Sequence, residues 1–264
     1  MAKESKNSST CYCMTHRGHF YQTMYQSRLG HLSYNSTTTP EFQMLEIGFY
    51  HGRGYEAFSQ FFPRSEFHSM EISCLPKGPV SENKWPHGNF AARNRKWYSR
   101  LRHEKKLHCG DASNVDWLHQ IWTTHMLRPD APPLKLVIDD GSHLARHMVA
   151  TVFFWFPRIE PGGHLVIEDI QPTKESNKFR TQFLPQIISD LHFCGDPKEK
   201  KDEPCFPLLQ RLLHSVHCEM HICILERNQE PAMQNLSLVE SKPSRSALSL
   251  GGCRALKDSF GIGL

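Results

Sequence analysis

The fold is decided by two stretches of sequence, Leu134-Lys-Leu-Val-Ile-Asp-Asp-Gly-Ser-His143 and Pro161-Gly-Gly-His-Leu-Val-Ile-Glu-Asp-Ile170. Each contains an apolar run of strand length that ends in carboxylates, and the residues between them form an apolar segment of helical length. A strand, a crossover helix and a second strand predict a parallel βαβ unit. The carboxyl ends of parallel strands lie at one edge of a sheet, where open α/β sheets bind ligands. The unit therefore predicts an enzyme site with four acids and one histidine, a set of groups that can bind a metal.

The rest of the chain predicts further strands and helices of one α/β domain. Strands are predicted at 43–48, 66–72, 106–109 and 217–226, and helices at 54–62, 90–102, 115–124, 177–191 and 206–214. Residues 12–34 predict a turn and a short helix before the first strand, and the helix at 90–102 is predicted to lie over the site. Strands that alternate with helical segments are typical of a parallel sheet.

The length of 264 residues suits one domain with loops and tails. We expect a disordered polar N-terminus at 1–11, a single domain at 12–227 and a flexible Ser-rich tail at 228–264. Within the domain, residues 74–106 are polar, basic and aromatic, and they predict an insertion that selects the substrate or covers it.

Composition and charge limit the setting and the partners. The net charge is +4, and the basic residues concentrate at 77–106 and 198–201, which favours solvated loops over a nucleic-acid surface. The nine cysteines lack zinc-site spacing, which predicts reduced, buried thiols. Without an apolar run of membrane-spanning length or a signal-peptide core, we expect a soluble cytoplasmic protein without a membrane partner. The sequence leaves a homo-oligomer open.

A set of ordered positions carries a family resemblance. Glu46-Ile-Gly-Phe-Tyr-His-Gly-Arg-Gly54, Glu71, Asp111 and Asp139 together resemble the class I methyltransferases that use S-adenosylmethionine. The resemblance implies a Rossmann-like, doubly wound, mostly parallel sheet. It also implies six cofactor-binding residues, Glu46, Gly48, Gly52, Glu71, Asp111 and Asp139. Glycines allow close backbone approach to the methionine part, and acids at the next strand ends can accept ribose hydroxyls and the adenine amino group.

The two acidic stretches carry a closer resemblance. Ile138-Asp-Asp-Gly-Ser-His143, Phe156-Pro157, Pro161-Gly-Gly163 and Val166-Ile-Glu-Asp-Ile170 resemble the metal-dependent sugar O-methyltransferases of macrolide biosynthesis, the mycinamicin type. Arg17-Gly-His-Phe-Tyr21 and Met44-Leu-Glu-Ile-Gly48 also fit that wider family. The resemblance implies that Asp140, Glu168 and Asp169 bind magnesium and that His143 is the general base. It further implies a small hydroxylated acceptor and a role in secondary metabolism.

Several residues have a second interpretation. Asp139 and Asp140 could cap the following helix, although capping would not explain Glu168 and Asp169. His147, one turn after His143, could instead face the site. The aromatic residues of the insertion, Trp85, Trp97 and Tyr98, are read as packing residues rather than as a stacking platform for substrate.

Three functions remain open from the sequence. The first is a metal-dependent O-methyltransferase acting on a small molecule or glycoside. The second is a methyltransferase acting on a nucleic acid or a protein, suggested by the basic insertion. The third is a degenerate methyltransferase fold without enzymatic activity.

Overall fold

The computed structural model describes residues 21–33, 41–74, 95–171, 177–192 and 206–232. Seven strands lie side by side in one sheet in the order β3-β2-β1-β4-β5-β7-β6. They are β1 (Phe42–Ile47), β2 (Ser65–Glu71), β3 (Leu107–Cys109), β4 (Leu134–Asp139), β5 (His164–Ile167), β6 (Leu213–Glu219) and β7 (Ile222–Arg227). The first five are parallel, whereas β7 is antiparallel to both β5 and β6. The predicted doubly wound, mostly parallel α/β fold is confirmed.

Helices cover both faces of this sheet. They are α1 (Tyr21–Met24), α2 (Arg53–Phe61), α3 (Arg95–His103), α4 (Val115–Ile121), α5 (Ala145–Trp155), α6 (Leu184–His192) and α7 (Pro207–Leu212). Shorter turns extend them: a π turn at Tyr25–Leu29 and a 3-10 turn at Gly30–Ser33 follow α1, a π turn at Trp122–Met126 follows α4, a 3-10 turn at Phe156–Arg158 follows α5, and a π turn at Phe179–Phe183 precedes α6. The helices from α4 to α7 pack on one face, and α1, α2 and α3 pack on the other.

The alternation of strand side chains explains why the middle of β4 is a continuous apolar run. In β4, Val137 packs with the cluster around α5, while Leu136 and Ile138 pack with the cluster around α1 and α2. All three are fully buried. A strand covered by helices on both sides needs apolar residues at every position. β4 is therefore the middle strand of the sheet and is covered on both faces.

The register brings the carboxyl ends of the parallel strands to one level. Ile47 at the end of β1 pairs with Met70 of β2 and with Asp139 of β4, and Asp139 also pairs with Ile167 of β5. The chain winds in one direction from β1 through β3 and in the other from β4 to β5. The crevice where the winding reverses, between β1 and β4, is the usual ligand site of such a sheet.

The C-terminal hairpin departs from the prediction. One strand was predicted at 217–226, whereas the structure has two, β6 and β7, joined at Met220 and His221. His221 takes a left-handed φ of 63°, so a residue that carries no turn signal makes the tight turn. His214, predicted to end a helix, lies in β6. The hairpin therefore adds two antiparallel strands to the edge of the sheet beyond β5.

Of the predicted insertion at 74–106, the structure describes Cys74 and residues 95–106. There α3 packs on the face formed by α2, and the ring of Trp97 lies 5.1 Å from that of Tyr55. This contact confirms the packing interpretation for Trp97, and none of the described residues of α3 lines the site cavity. Trp85 and the start of the predicted helix at 90–94 lie outside the described residues.

The prediction of reduced thiols is wrong for four cysteines. Cys74 and Cys109 form a disulfide with Cα atoms 5.4 Å apart, and Cys218 and Cys223 form another with Cα atoms 4.1 Å apart. Cys109 pairs with Glu71 in the sheet, so the turn after β2 brings Cys74 beside it. Cys218 and Cys223 are direct partners across the hairpin. Strand pairing decides these contacts, and sequence spacing does not reveal it.

No helix among the described residues is long and apolar enough to cross a membrane.

The long-range disulfide should stabilise the domain more than the hairpin disulfide. Cys74 and Cys109 are 35 positions apart and Cys218 and Cys223 only 5, and a longer closed loop constrains the unfolded chain more. We expect Cys74→Ser to lower the free energy of unfolding by about 2–4 kcal/mol and Cys218→Ser by less. Urea denaturation without reductant measures both values. Equal stability of Cys74→Ser and the parent chain, or free thiols at these positions in peptide mapping, would contradict the assignment.

Candidate active site

A cavity with a volume of about 920 Å³ opens at the carboxyl edge of the five parallel strands. Most of its walls come from the turns that follow these strands. The lining residues include Gly48, Glu71, Asp111, Asp139, Asp140, Glu168 and Asp169. The volume is typical of a site for a small organic ligand. The sequence prediction of a site at this edge of the sheet is thus matched by a concave surface lined by acids.

Two glycines allow the turn after β1 to lie against its neighbours. Gly48 has a φ of 105°, and a Cβ atom there would lie 2.2 Å from the carbonyl oxygen of Asp140. A Cβ atom on Gly54 would lie 2.1 Å from Oε1 of Glu46. Both distances are far below van der Waals contact, so Gly48, which faces backbone at a positive φ, requires glycine, and a side chain at Gly54 would have to displace the Glu46 carboxyl group. The first glycine sets the width of the crevice between β1 and β4, and the second makes room for a buried carboxyl group.

Two of the six residues expected to bind cofactor do not line the cavity. Glu46 is buried within β1, where Oε2 accepts a hydrogen bond from Ser69 Oγ at 3.0 Å. Burial raises the pKa of Glu46 to about 8. Gly52 is buried at the start of α2, with a left-handed φ of 70°. Both lie behind the surface that Gly48 presents to the cavity.

Glu71 and Asp111 are oriented by the turns that they begin. The carboxylate of Glu71 accepts the backbone N–H of Tyr50 at 2.5 Å and that of Ser73 at 2.7 Å. Oδ1 of Asp111 accepts the N–H and the hydroxyl of Ser113, at 2.9 and 2.7 Å. Each carboxylate oxygen has two lone pairs and can accept a further donor from a ligand. The two acids therefore offer fixed acceptors at adjacent strand ends.

Asp139 and Asp140 do not cap the helix that follows them. The N-cap of α5 is Leu144, and it makes no side-chain capping bond. Asp139 is buried, its Oδ1 accepts the N–H of Gly141 at 3.2 Å, and burial raises its pKa. His143 precedes α5 in a left-handed conformation with a φ of 54°. The loop thus aims His143 at the cavity independently of the helix.

Asp140, His143 and Asp169 converge across the edge of the sheet. Nε2 of His143 lies 4.0 Å from Oδ1 of Asp140 and 3.8 Å from Oδ2 of Asp169. The ligand atoms of the three residues all lie within 4.8 Å of one another. Burial raises the pKa of Asp140 well above its usual range, and Glu168 and Asp169 raise it further. Such crowding of acids favours a cation between them.

Glu168, the third expected metal ligand, lies beside this group but is not part of it. It is buried, and its Oε1 accepts a short hydrogen bond from the hydroxyl of Tyr25. Burial, together with Asp169, raises the pKa of Glu168 to about 8, against the opposing effect of the Tyr25 bond. Its backbone N–H donates to the carbonyl of Asp139 at 3.0 Å, which fixes the distance between the ends of β4 and β5.

The two histidines of the loop have different surroundings. His147 contacts Ser142 Oγ through Nδ1 at 2.7 Å and accepts Arg146 Nε at 3.2 Å, so both of its ring nitrogens are engaged. His143 faces two carboxylates, and its buried Nδ1 has no hydrogen-bond partner among the described residues. The geometry favours His143 over His147 as the residue that faces a reacting group.

Tyr21 of α1 and Tyr25 of the π turn that follows reach the second acidic stretch, and neither was predicted from the sequence to belong to the site. The hydroxyl of Tyr21 lies 2.7 Å from Oδ1 of Asp169, and that of Tyr25 contacts Glu168. Tyr21 closes the Arg17–Tyr21 motif and Tyr25 follows one helical turn later. Two tyrosines spaced four apart on a short helix were the available signal.

Known proteins resemble this chain in sequence and in fold. A family model described as a methyltransferase domain matches residues 45–170, just under half of the chain. The 8-demethyl-8-alpha-L-rhamnosyl tetracenomycin-C 2'-O-methyltransferase of Streptomyces olivaceus is 30% identical over 104 residues, which cover 36% of this chain and 27% of that protein. The mycinamicin VI 2''-O-methyltransferase of Micromonospora griseorubida is 28% identical over 119 residues, covering 45% and 23%.

A solved structure extends the likeness in fold. MycE methyltransferase from the mycinamycin pathway, in complex with Mg, SAH and mycinamycin VI, superposes with a TM-score of 0.57 at 17% identity, over 82% of this chain and 51% of MycE. The matches span about a quarter of the two curated relatives and about half of MycE. The sequence match and the shared fold agree with the resemblance found from the sequence: residues 45–170 match the methyltransferase-domain model, and the chain shares the fold of MycE methyltransferase.

Proposed function

We propose that this protein is a magnesium-dependent O-methyltransferase that transfers the methyl group of S-adenosylmethionine to a hydroxyl of a small molecule or glycoside. The observation that carries the proposal is the convergence of Asp140, His143 and Asp169 just after the ends of β4 and β5, where their ligand atoms lie within 4.8 Å of one another. The part of the cavity that would hold the cofactor, the cofactor side, and the part that would hold the acceptor, the acceptor side, then meet at the dipeptide Asp139-Asp140.

The cofactor side is formed by the turns after β1 to β4. Glu71 would accept the ribose hydroxyls and Asp111 the adenine amino group, because both present oriented carboxylates to the cavity. Gly48 and Asp139 would border the methionine part. Glu46 and Gly52 do not face the cavity, and they would support the glycine turn against which the cofactor would lie.

The residues of the acceptor side fit a magnesium ion. Asp140 and Asp169 offer carboxylate oxygens, the ligands that this hard cation prefers, and Glu168 lines the same cavity. Tyr25 contacts Oε1 of Glu168, so Oε2 would be its ligand atom. When bound, the ion would lower the pKa of an acceptor hydroxyl. The raised pKa values of Asp140 and Glu168 support this assignment, since a nearby positive charge would offset the cost of ionising buried acids.

His143 would take the proton of the acceptor hydroxyl. Its Nε2 points at the carboxylates that would orient the acceptor, and these acids would stabilise the imidazolium that forms. Methyl transfer then requires little more than an in-line approach of the hydroxyl oxygen to the sulfonium methyl group, so positioning supplies most of the rate acceleration.

The relatives suggest the class of acceptor. Their names describe transfer to hydroxyls of glycosylated natural products, and we infer a sugar hydroxyl of such a compound as the acceptor here. Of the twelve lysines and arginines at 77–106 and 198–201, half lie outside the described residues, at 77–94 and 198–201. The carboxylate-lined cavity repels phosphate, which favours the small neutral acceptor.

Glu71→Gln should weaken binding of S-adenosylhomocysteine by about 10- to 100-fold, because a charged acceptor for the ribose hydroxyls is lost. Isothermal titration calorimetry measures the affinity, and Glu104→Gln, which follows α3 and does not line the cavity, is the matched control. An affinity equal to that of the parent chain would remove Glu71 from the cofactor site. Failure of the parent chain itself to bind at millimolar concentration would favour the degenerate fold.

Asp140→Asn, or a chelator, should lower turnover by about 100-fold or more while binding of S-adenosylhomocysteine persists. The assay follows formation of S-adenosylhomocysteine with a methyl rhamnoside or a rhamnosylated polyketide as acceptor. Asp130→Asn, a change at an exposed acid before β4, is the control and should leave turnover unchanged. Full turnover in chelator would exclude the metal role.

His143→Gln should lower turnover by about 10²- to 10⁴-fold without weakening the binding of cofactor or metal, as expected for a general base. His147→Gln, changed in the same loop, should have a much smaller effect because the His147 ring already bonds within the loop. Steady-state kinetics and calorimetry on both variants make the comparison. The reverse order of effects would assign the base to His147.

A further inference from the structure

Tyr21 contacts the backbone and the side chain of the same acidic residue. Its hydroxyl lies 2.7 Å from Oδ1 of Asp169 and 3.1 Å from the backbone nitrogen of Asp169. It therefore donates to the carboxylate and accepts the N–H, while the ring is 99% buried (1% exposed). The two residues are 148 positions apart, so the contact joins α1 to the end of β5.

Asp169 needs such a contact because of its backbone. Its φ of 52° is left-handed, a conformation that costs free energy in any residue with a Cβ atom. The next residue, Ile170, donates its N–H to the carbonyl of His221 at 2.8 Å, and the Tyr21 hydroxyl lies 3.2 Å from the same carbonyl. Asp169 is thus fixed between α1 and the β6–β7 turn.

The contact decides which oxygen of Asp169 faces the site. With Oδ1 directed at Tyr21, Oδ2 lies 3.8 Å from Nε2 of His143 and belongs to the group formed with Asp140. Tyr25, one turn further along the helix, makes the corresponding bond to Glu168. Hydrogen bonds from residues that do not bind the metal themselves fix the orientation of metal-binding carboxylates and strengthen metal binding.

We propose that Tyr21 is a positioning residue that holds the Asp169 carboxylate with Oδ2 aimed at the metal site. The inference rests on the proposed function, because it requires that Asp169 is a metal ligand. The Tyr21 hydroxyl donates to Asp169 and also lies near the His221 carbonyl, so its effect on the metal site would pass through the Asp169 carboxylate and the backbone beside it.

Tyr21→Phe tests this assignment, since it removes only the hydroxyl. Electron paramagnetic resonance of Mn²⁺, used as the probe in the presence of S-adenosylhomocysteine, should show binding weakened by about 10- to 100-fold. Calorimetry should show unchanged affinity for S-adenosylhomocysteine. Turnover should need a higher Mg²⁺ concentration and recover when Mg²⁺ is in excess. Tyr55→Phe, a buried tyrosine of α2 on the same face of the sheet, is the control.

The double variant Tyr21→Phe/Asp169→Asn separates positioning from a general loss of stability. If Tyr21 acts through Asp169, its removal causes no additional loss of Mn²⁺ affinity in the Asp169→Asn background. Additive losses, or parental Mn²⁺ affinity in Tyr21→Phe, would overturn the positioning role and leave the proposed function intact. Failure of the parent chain to bind Mn²⁺ would overturn both.

Discussion

The mutual repulsion of carboxylates at the ends of β4 and β5 is the constraint on which the site depends. Asp139 and Glu168 are buried, and Asp140 and Asp169 are only partly open to solvent. Ionised acids at this density are unfavourable unless donors or cations surround them. The described structure supplies donors from distant elements, among them the hydroxyls of Tyr21 and Tyr25. The arrangement of α1 is therefore part of the electrostatics of the site as well as of the packing of the core.

The dipeptide Asp139-Asp140 shows how one strand end can serve two ligands. Successive side chains at a strand end point in different directions. Asp139 turns toward the N–H of Gly141, whereas Asp140 turns toward Asp169. Gly48 makes this possible, since only a residue without a Cβ atom lets β1 lie so close to the backbone of Asp140. Cofactor and acceptor would accordingly meet at adjacent residues, which is the proximity that a group transfer requires.

The sequence was sufficient for features that depend on local pattern. The apolar runs of β4 and β5 and the acids at their ends predicted the centre of the sheet and the edge that carries the site. Features that depend on long-range partners were missed. The Tyr21–Asp169 contact spans 148 positions, and the Cys74–Cys109 disulfide follows from strand pairing. The hairpin was read as one strand because His221, which adopts its turn conformation, is not a usual turn residue.

The β6–β7 turn has a consequence for how the protein is made. His221 accepts the N–H of Ile170, next to Asp169, so a segment near residue 220 completes an acidic stretch synthesised some fifty residues earlier. The segment that matches the methyltransferase family model, 45–170, contains every acid of the site but neither Tyr21 nor His221. A nascent chain that has emerged only as far as β5 would hold the carboxylates and both tyrosines but not the His221 carbonyl, which accepts the N–H of Ile170 and contacts the Tyr21 hydroxyl. The acidic stretch after β5 therefore gains its last backbone contact only when the C-terminal hairpin joins the sheet.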